Sequence, residues 1–429
     1  MRHFNKKMEI KQRTKRLDYK WVIAATCFMM IFVTLGFCSS PNSLFLDVVA
    51  KNLGVERSMF SLNNTFRYIT TAIANLFFGT LVKRFGVKKL ILFGFVCLSL
   101  SMFTYAVADD LMTFYSAGAI LGVGFSFTGT TMVGCIINRW YTQGKGKIMG
   151  AILAANGIGG AIAIQILTPF IEGGGDRYRI AYVISGIAVL VTGIIIAIFL
   201  RENPKNTVES PADSETKKKR VESQNGMEYS QISGTAVFYV ALICIFFTGF
   251  CLQGITGIAK AHMRDVGLSA TYVAFAMSFH SISLTVFKFL TGVIYDKMGL
   301  RVTMSICSVT ASTVMLLLAL VTDSPSGMII AMIYSIFSAL ALPLETIMLP
   351  IYAGDLFGNR AYEQVLGIFV AVSVAGYAVG TPAVNICYDL LGDYKVALIT
   401  CAVIMAMVTI VMQAVISKAH KLCGVRSES

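Results

Sequence analysis

Apolar runs of about 20 residues follow one another along almost the whole chain, parted by short polar stretches. That is the length a helix needs to cross the hydrocarbon core of a bilayer. A helix also satisfies its own backbone hydrogen bonds there, which an isolated strand cannot do. The pattern predicts twelve membrane helices, at 21–46, 61–82, 90–108, 111–137, 149–171, 180–200, 235–259, 271–294, 302–321, 326–353, 365–388 and 395–417. The polar remainder predicts a basic leader over 1–20, a linker over 201–234 and a tail over 418–429, leaving six-helix halves at 21–200 and 235–417. The linker holds two prolines, Ser, Thr and Glu, and the run Lys217-Lys218-Lys219-Arg220, a composition that builds no core.

The halves repeat one another at an offset of 213 residues. Gly79 and Gly86 stand where Gly292 and Gly299 stand, Arg67 where His280 stands, and Gly36-Phe37-Cys38 where Gly249-Phe250-Cys251 stand. A basic group therefore recurs at one equivalent position inside a membrane helix. Helix 1 carries the polar break Ser39-Ser40-Pro41-Asn42, tolerated in lipid only where it faces protein or a cavity, or else lying near the outer surface. Glycines crowd the fourth, fifth and eleventh runs, where small residues let helix backbones approach closely.

Composition agrees with this pattern: 56% of the 429 residues are hydrophobic and 14% charged. The net charge of +13 would suggest nucleic acid were it not for its placement. Most of the Lys and Arg lie in the leader, the linker, the tail and the loops on their side. The positive-inside rule therefore puts both termini in the cytoplasm and the chain in the cell (plasma) membrane. The first apolar run is too long for a cleaved signal and no small-x-small site follows it. Ten cysteines show no CxxC pair and no metal spacing, so no metal or cofactor is expected. No GxxxxGK[ST] loop is present for nucleoside triphosphate.

Candidate chemistry rests on charges inside the predicted helices. Of 23 acidic residues only Glu345 sits well inside one, of 4 histidines only His280, and of 36 cations only Arg67 and Lys288. Each costs about 2.5–3.5 kcal/mol at the bilayer centre on insertion scales, so each needs a partner or water. Arg67 lies about 9 Å from its helix end at 1.5 Å per residue, within reach of a snorkelling side chain. His280 either titrates near neutral pH or bonds a neighbouring Ser. Lys288 and Glu345 either form a fixed pair, or Glu345 exchanges a proton during transport. Two fixed cations against one carboxylate select an anion, which Asn64, Asn156, Ser281 and Thr285 are placed to orient.

Twelve helices in two halves, a long central loop and repeated Gly-rich turns resemble the major facilitator superfamily, whose turn reads G-x-x-x-D-R-x-G-R-K. The second turn keeps Gly292, Asp296, Lys297, Gly299 and Arg301. The first keeps Gly79, Arg84, Gly86, Lys88 and Lys89, with Lys83 in place of the Asp. The resemblance implies that these turns govern conformational gating. Arg139-Trp140-Tyr141 followed by GKGKIMGAILAANGIGGA is similar to the helix 4–5 stretch of monocarboxylate porters and oxalate/formate antiporters, and LPIYAGDLFG to their helix 10–11 stretch. Those families place a substrate-binding Arg four residues before the helix 8 glycine, where Lys288 stands here. Lysine keeps the charge but loses the bidentate fork. Their lysine in helix 1 would fall near Ser39, and their lysine in helix 11 has no counterpart here.

The fold expected is all-α, twelve membrane helices in two pseudo-symmetric halves. The function expected is secondary transport of small organic anions, mono- or dicarboxylates, by alternating access. Lys288, Arg67 and His280 would serve the substrate, and Glu345 or His280 a coupled proton, with a counter-anion as the other coupling partner. A monomer is expected. Multidrug efflux is the alternative and predicts an acid-dominated cavity. A transporter-like sensor is more remote, because neither 201–234 nor 418–429 offers an output domain. No constellation for enzymatic chemistry is present.

Overall fold

The computed structural model describes residues 2–141, 143–171, 175–200 and 227–422. The linker over 201–226 and the tail beyond 422 lie outside the described residues. The first half comprises α1 (Arg2–Cys38), α2 (Asn42–Leu53), α3 (Arg57–Leu76), α4 (Phe78–Phe85), α5 (Val87–Val107), α6 (Leu111–Thr128), α7 (Thr130–Trp140), α8 (Lys145–Ile171) and α9 (Tyr178–Phe199). The second comprises α10 (Tyr229–Ser233), α11 (Ala236–Asp265), α12 (Ala270–Ala319), α13 (Pro325–Ala341), α14 (Pro343–Thr346), α15 (Met348–Phe357), α16 (Tyr362–Leu391) and α17 (Lys395–Leu422).

Local chemistry sets the ends and breaks of these helices. Asp110 caps α6 by accepting from the Thr113 amide (3.0 Å) and hydroxyl (2.5 Å), which holds its carboxyl below the ordinary range. Ser324 caps α13 ahead of Pro325, whose missing N–H costs nothing at the first turn. The expected run 21–46 is two helices rather than one, because Pro41 has no amide to continue the ladder. Ser40 at that break donates to the Leu35 carbonyl (3.1 Å) and to Asn156 Oδ1 (3.5 Å), so the break faces α8.

Among the described residues ten helical stretches are long and apolar enough to cross a bilayer. Two further crossings explain the difference from twelve. Helix α12 has 50 residues, about 75 Å at 1.5 Å per residue, too long for one passage. Gly299, at φ 76° where an L side chain is strained, divides it in two. The passage α3–α4 is interrupted at Phe77 and carries Asn63, Asn64, Arg67 and Asn75, which lower its hydropathy.

The halves meet along two antiparallel crossings, α8 on α12 and α3–α4 on α16. Glycine allows both. A Cβ on Gly146 would lie 2.5 Å from the Gly292 carbonyl, one on Gly150 2.6 Å from the Lys288 carbonyl, and one on Gly79 2.6 Å from the Gln364 backbone. These contacts lie at the end of the bundle that carries the Gly-rich turns, called here the turn end. Segment 227–234 is anchored there too: the Met227 amide donates to the Phe357 carbonyl (3.2 Å), and Arg360 pairs with Glu228.

Gly292→Val should therefore push the halves apart at the turn end, at a cost of about 1–3 kcal/mol from overpacking. Thermal unfolding of the purified protein checks this; an unchanged midpoint would mean that the backbones do not approach so closely.

Candidate functional site

The α8–α12 crossing places Lys288 one helical turn beyond the Gly146–Gly292 contact, with its backbone against Gly150 of the other half. Its side chain is 2% exposed. Among the described residues the ammonium forms no hydrogen bond and no direct ion pair. The charges that act on it come from its own half: Glu345 on α14 and His280 one helical stretch earlier on α12. Lys288 thus neither snorkels to the surface nor closes a salt bridge with Glu345.

Glu345 is 8% exposed, in a four-residue helix set between Leu342 and Ile347. Pro343 and the following irregularity interrupt the α13–α15 passage, which frees backbone around the carboxylate. Among the described residues its Oε1 has no hydrogen-bond partner. Its electrostatic neighbours come from three helices: Lys288 of α12, Tyr377 of α16 and Cys251 of α11. A buried carboxylate oxygen without a donor is costly, and a proton or a ligand donor relieves that cost.

Arg67 lies in the other half and has different company. It is 8% exposed, with the guanidinium 4.8 Å from the Tyr68 ring and 5.5 Å from the Phe125 ring. Such stacking satisfies a cation partly, and Nη1 still has no acceptor. Tyr68 meets Tyr377 across the interface, with ring centroids 5.9 Å apart and edge to face, and Gln253 of α11 donates to the Tyr68 hydroxyl (3.5 Å). The first half thus meets the second through Arg67 on Tyr68 and Tyr68 on Tyr377.

The other residues singled out in the sequence take varied places. His280 Nδ1 is engaged by the Ser338 hydroxyl (2.9 Å) and the Ser335 carbonyl (3.1 Å) within its own half. Ser281 bonds its own helix at the Met277 carbonyl (3.1 Å), while Thr285 packs on Gly157 of the other half. Asn156 accepts from Ser40, and Asn64 is half-buried. Among the described residues no three His, Cys, Asp or Glu side chains are grouped to hold a metal.

At the turn end Asp296 grips the N-terminus of α8 in the other half, accepting from the Gly146 amide (3.0 Å) and the Lys147 amide (2.8 Å). Helix N-termini offer such amides to a carboxylate, aided by the helix dipole. Lys297 is exposed, and Arg301 donates to Ser417 (2.9 Å) within its half. Arg84 is exposed and lies over the Phe85 ring, and Gly86 makes its turn at φ 82°. Lys83, the repeat-mate of Asp296, is exposed and cannot grip α16 as a carboxylate would. Instead α16 carries Glu363 in its own first turn, and Arg139 of the first half reaches it at 2.6 Å and 3.1 Å. Asn138 donates to Asn359 beside it (3.0 Å). Sequence reasoning missed this pair, and Tyr68 with Tyr377, because nothing in their spacing marks contacts between residues 224 and 309 positions apart.

The profile of the Major Facilitator Superfamily matches residues 22–262 and 241–421. Multidrug resistance protein 2 of Bacillus subtilis is 24% identical over 75% of this chain and 78% of its own. Monocarboxylate transporter 13 of Bos taurus is 22% identical over 88% of this chain and 85% of its own. An uncharacterised transporter of Bacillus subtilis, YcxA, is 26% identical over 60% of this chain and only 62% of its own. The solved proton:xylose symporter XylE superposes with a TM-score of 0.75 at 14% identity, covering 93% of this chain and 96% of its own.

The Arg139–Glu363 pair, with side chains 27% and 21% exposed, should contribute about 1 kcal/mol. Arg139→Gln and Glu363→Gln should each lower stability by that amount, and the double variant by no more than either. Unfolding midpoints of the three proteins check it; additive losses would show that the two side chains act separately.

Proposed function

Because the chain belongs to the Major Facilitator Superfamily, a family of multi-pass membrane transporters, we propose that it carries small organic anions by alternating access. The observation that supports this best is Lys288, a cation only 2% exposed that has no hydrogen bond and no direct counter-ion among the described residues. A lone ammonium in such a place needs an acceptor, and a carboxylate of the substrate supplies one. In this reading Lys288 receives the anion and Glu345 takes the coupled proton, with exchange for a second anion as the other mode. Arg67 attracts the anion from the first half. The turn-end contacts of Asp296 and of Arg139 with Glu363 close one side while the other admits substrate. The charge distribution favours both termini and the turn end in the cytoplasm, in the cell membrane. A monomer suffices, since both halves of the site come from one chain.

The test is uptake of labelled lactate, pyruvate, formate, oxalate and succinate into proteoliposomes, with and without a pH gradient. Lys288→Gln should lower uptake roughly 10- to 100-fold, the loss of one charge-assisted hydrogen bond of about 1.5–3 kcal/mol. Lys288→Arg should retain part of it. Uptake by Lys288→Gln equal to that of the wild type would remove Lys288 from the site. The likeness to a multidrug resistance protein favours drug efflux as the second reading. Extrusion of a cationic dye, with no carboxylate taken up, would establish that reading instead.

A further inference from the structure

The Arg67 backbone is pinned to its own half: a Cβ on Gly122 of α6 would lie 2.3 Å from its carbonyl, and the Thr71 hydroxyl donates to that carbonyl (2.7 Å). Its guanidinium is held differently, against the Tyr68 ring at 4.8 Å and the Phe125 ring at 5.5 Å. Tyr68 in turn is held by the other half. Gln253 of α11 donates to its hydroxyl (3.5 Å), and the Tyr377 ring of α16 meets it edge to face at 5.9 Å. The internal repeat does not require this contact. Ser281 and Ile164 stand at the matching positions, 213 residues away; Ser281 bonds its own helix (3.1 Å), and both side chains are exposed.

We propose that Tyr68 is the positioning residue that makes Arg67 a seat for the substrate carboxylate while the second half holds the ring. This rests on the reading of the chain as an anion carrier. Arg67 is 8% exposed and, among the described residues, its Nη1 has no acceptor. A guanidinium with rings against it keeps its N–H donors in its own plane, and a planar carboxylate accepts from donors so arranged. A guanidinium on a flexible stem loses side-chain entropy each time it binds a ligand. A ring already fixed against it removes much of that cost. Gln253 and Tyr377 fix the ring, and both belong to the second half. Carboxylate affinity in the first half is thereby tied to contact with the second, and by linkage a carboxylate on Arg67 tightens that contact.

The experiment reads binding, as the dissociation constant obtained from the rise in unfolding midpoint of the purified protein with lactate, pyruvate, formate, oxalate or succinate. Tyr68→Phe keeps the ring and removes the hydroxyl that Gln253 reaches, and Gln253→Leu removes the other partner. Each should weaken binding roughly 2- to 10-fold, the range of one neutral hydrogen bond. The two together should weaken it no more than either alone. Arg67→Gln should weaken binding roughly 10- to 100-fold, the loss of a charge-assisted hydrogen bond, and adding Tyr68→Phe to it should change nothing further. A merely structural tyrosine would lower the midpoint measured without anion and leave the affinity alone. A Tyr68→Phe protein that binds as the wild type does, or whose defect persists beside Arg67→Gln, would overturn the proposal. Wild-type affinity in Arg67→Gln would overturn it too, and loss of that binding in Lys288→Gln would then leave the anion reading intact. A wild-type protein whose midpoint ignores every carboxylate would overturn both.

Discussion

A charge taken out of water into a bilayer must find a partner, water, or a way to become neutral, and the centre of this protein is arranged around that demand. Lys288 lies behind a glycine-lined crossing that brings two helix backbones into contact, so its ammonium cannot reach the surface. Glu345 is close enough to lower the cost of that charge but does not close a salt bridge on it. A closed pair would be a finished structural element. A held-apart pair, whose ammonium and carboxylate oxygen find no partner among the described residues, has a use for a further molecule or a proton.

The internal repeat conserves backbone more than chemistry. Gly367 touches Asn75 across one crossing as Gly150 touches Lys288 across the other, and Asn75 stands 213 residues before Lys288. Asn75 is fully buried and donates to Thr71 and Ser126, so this half fills with a neutral hydrogen-bonded amide the position that the other half fills with a cation. The same divergence appears at the turn end. Asp296 holds a helix N-terminus in one crossing, whereas in the other the carboxylate has moved into α16 itself as Glu363 and Arg139 comes to meet it. Both solutions place a negative charge at the start of the helix that crosses the interface, which is where the helix dipole favours it.

Much of this architecture was legible in the residues. Apolar runs of bilayer length, separated by basic turns, specify twelve crossings because lipid leaves the backbone so few alternatives. The structure recovers them, including the long α12 that Gly299 divides. The split of the first run at Pro41 was visible as a polar break but not as a second helix, because α2 carries Asp47, Lys51 and Asn52 and reads as a polar loop beyond the apolar run. Burial of Arg67 and Lys288 was an alternative to snorkelling that periodicity could not decide, since helix depth says nothing about which neighbour covers a side chain.

What the sequence determined alone is the set of local necessities: where helices run, where glycine turns them, and that four ionisable groups sit inside them. Those follow from interactions between residues near one another in the chain. The tertiary structure alone decided the company these groups keep. It brought Glu345 near Lys288 without joining them, set Arg67 apart against Tyr68, and matched Arg139 with Glu363. Each of these contacts joins segments far apart in the chain, and only the packing of whole helices fixes their distance.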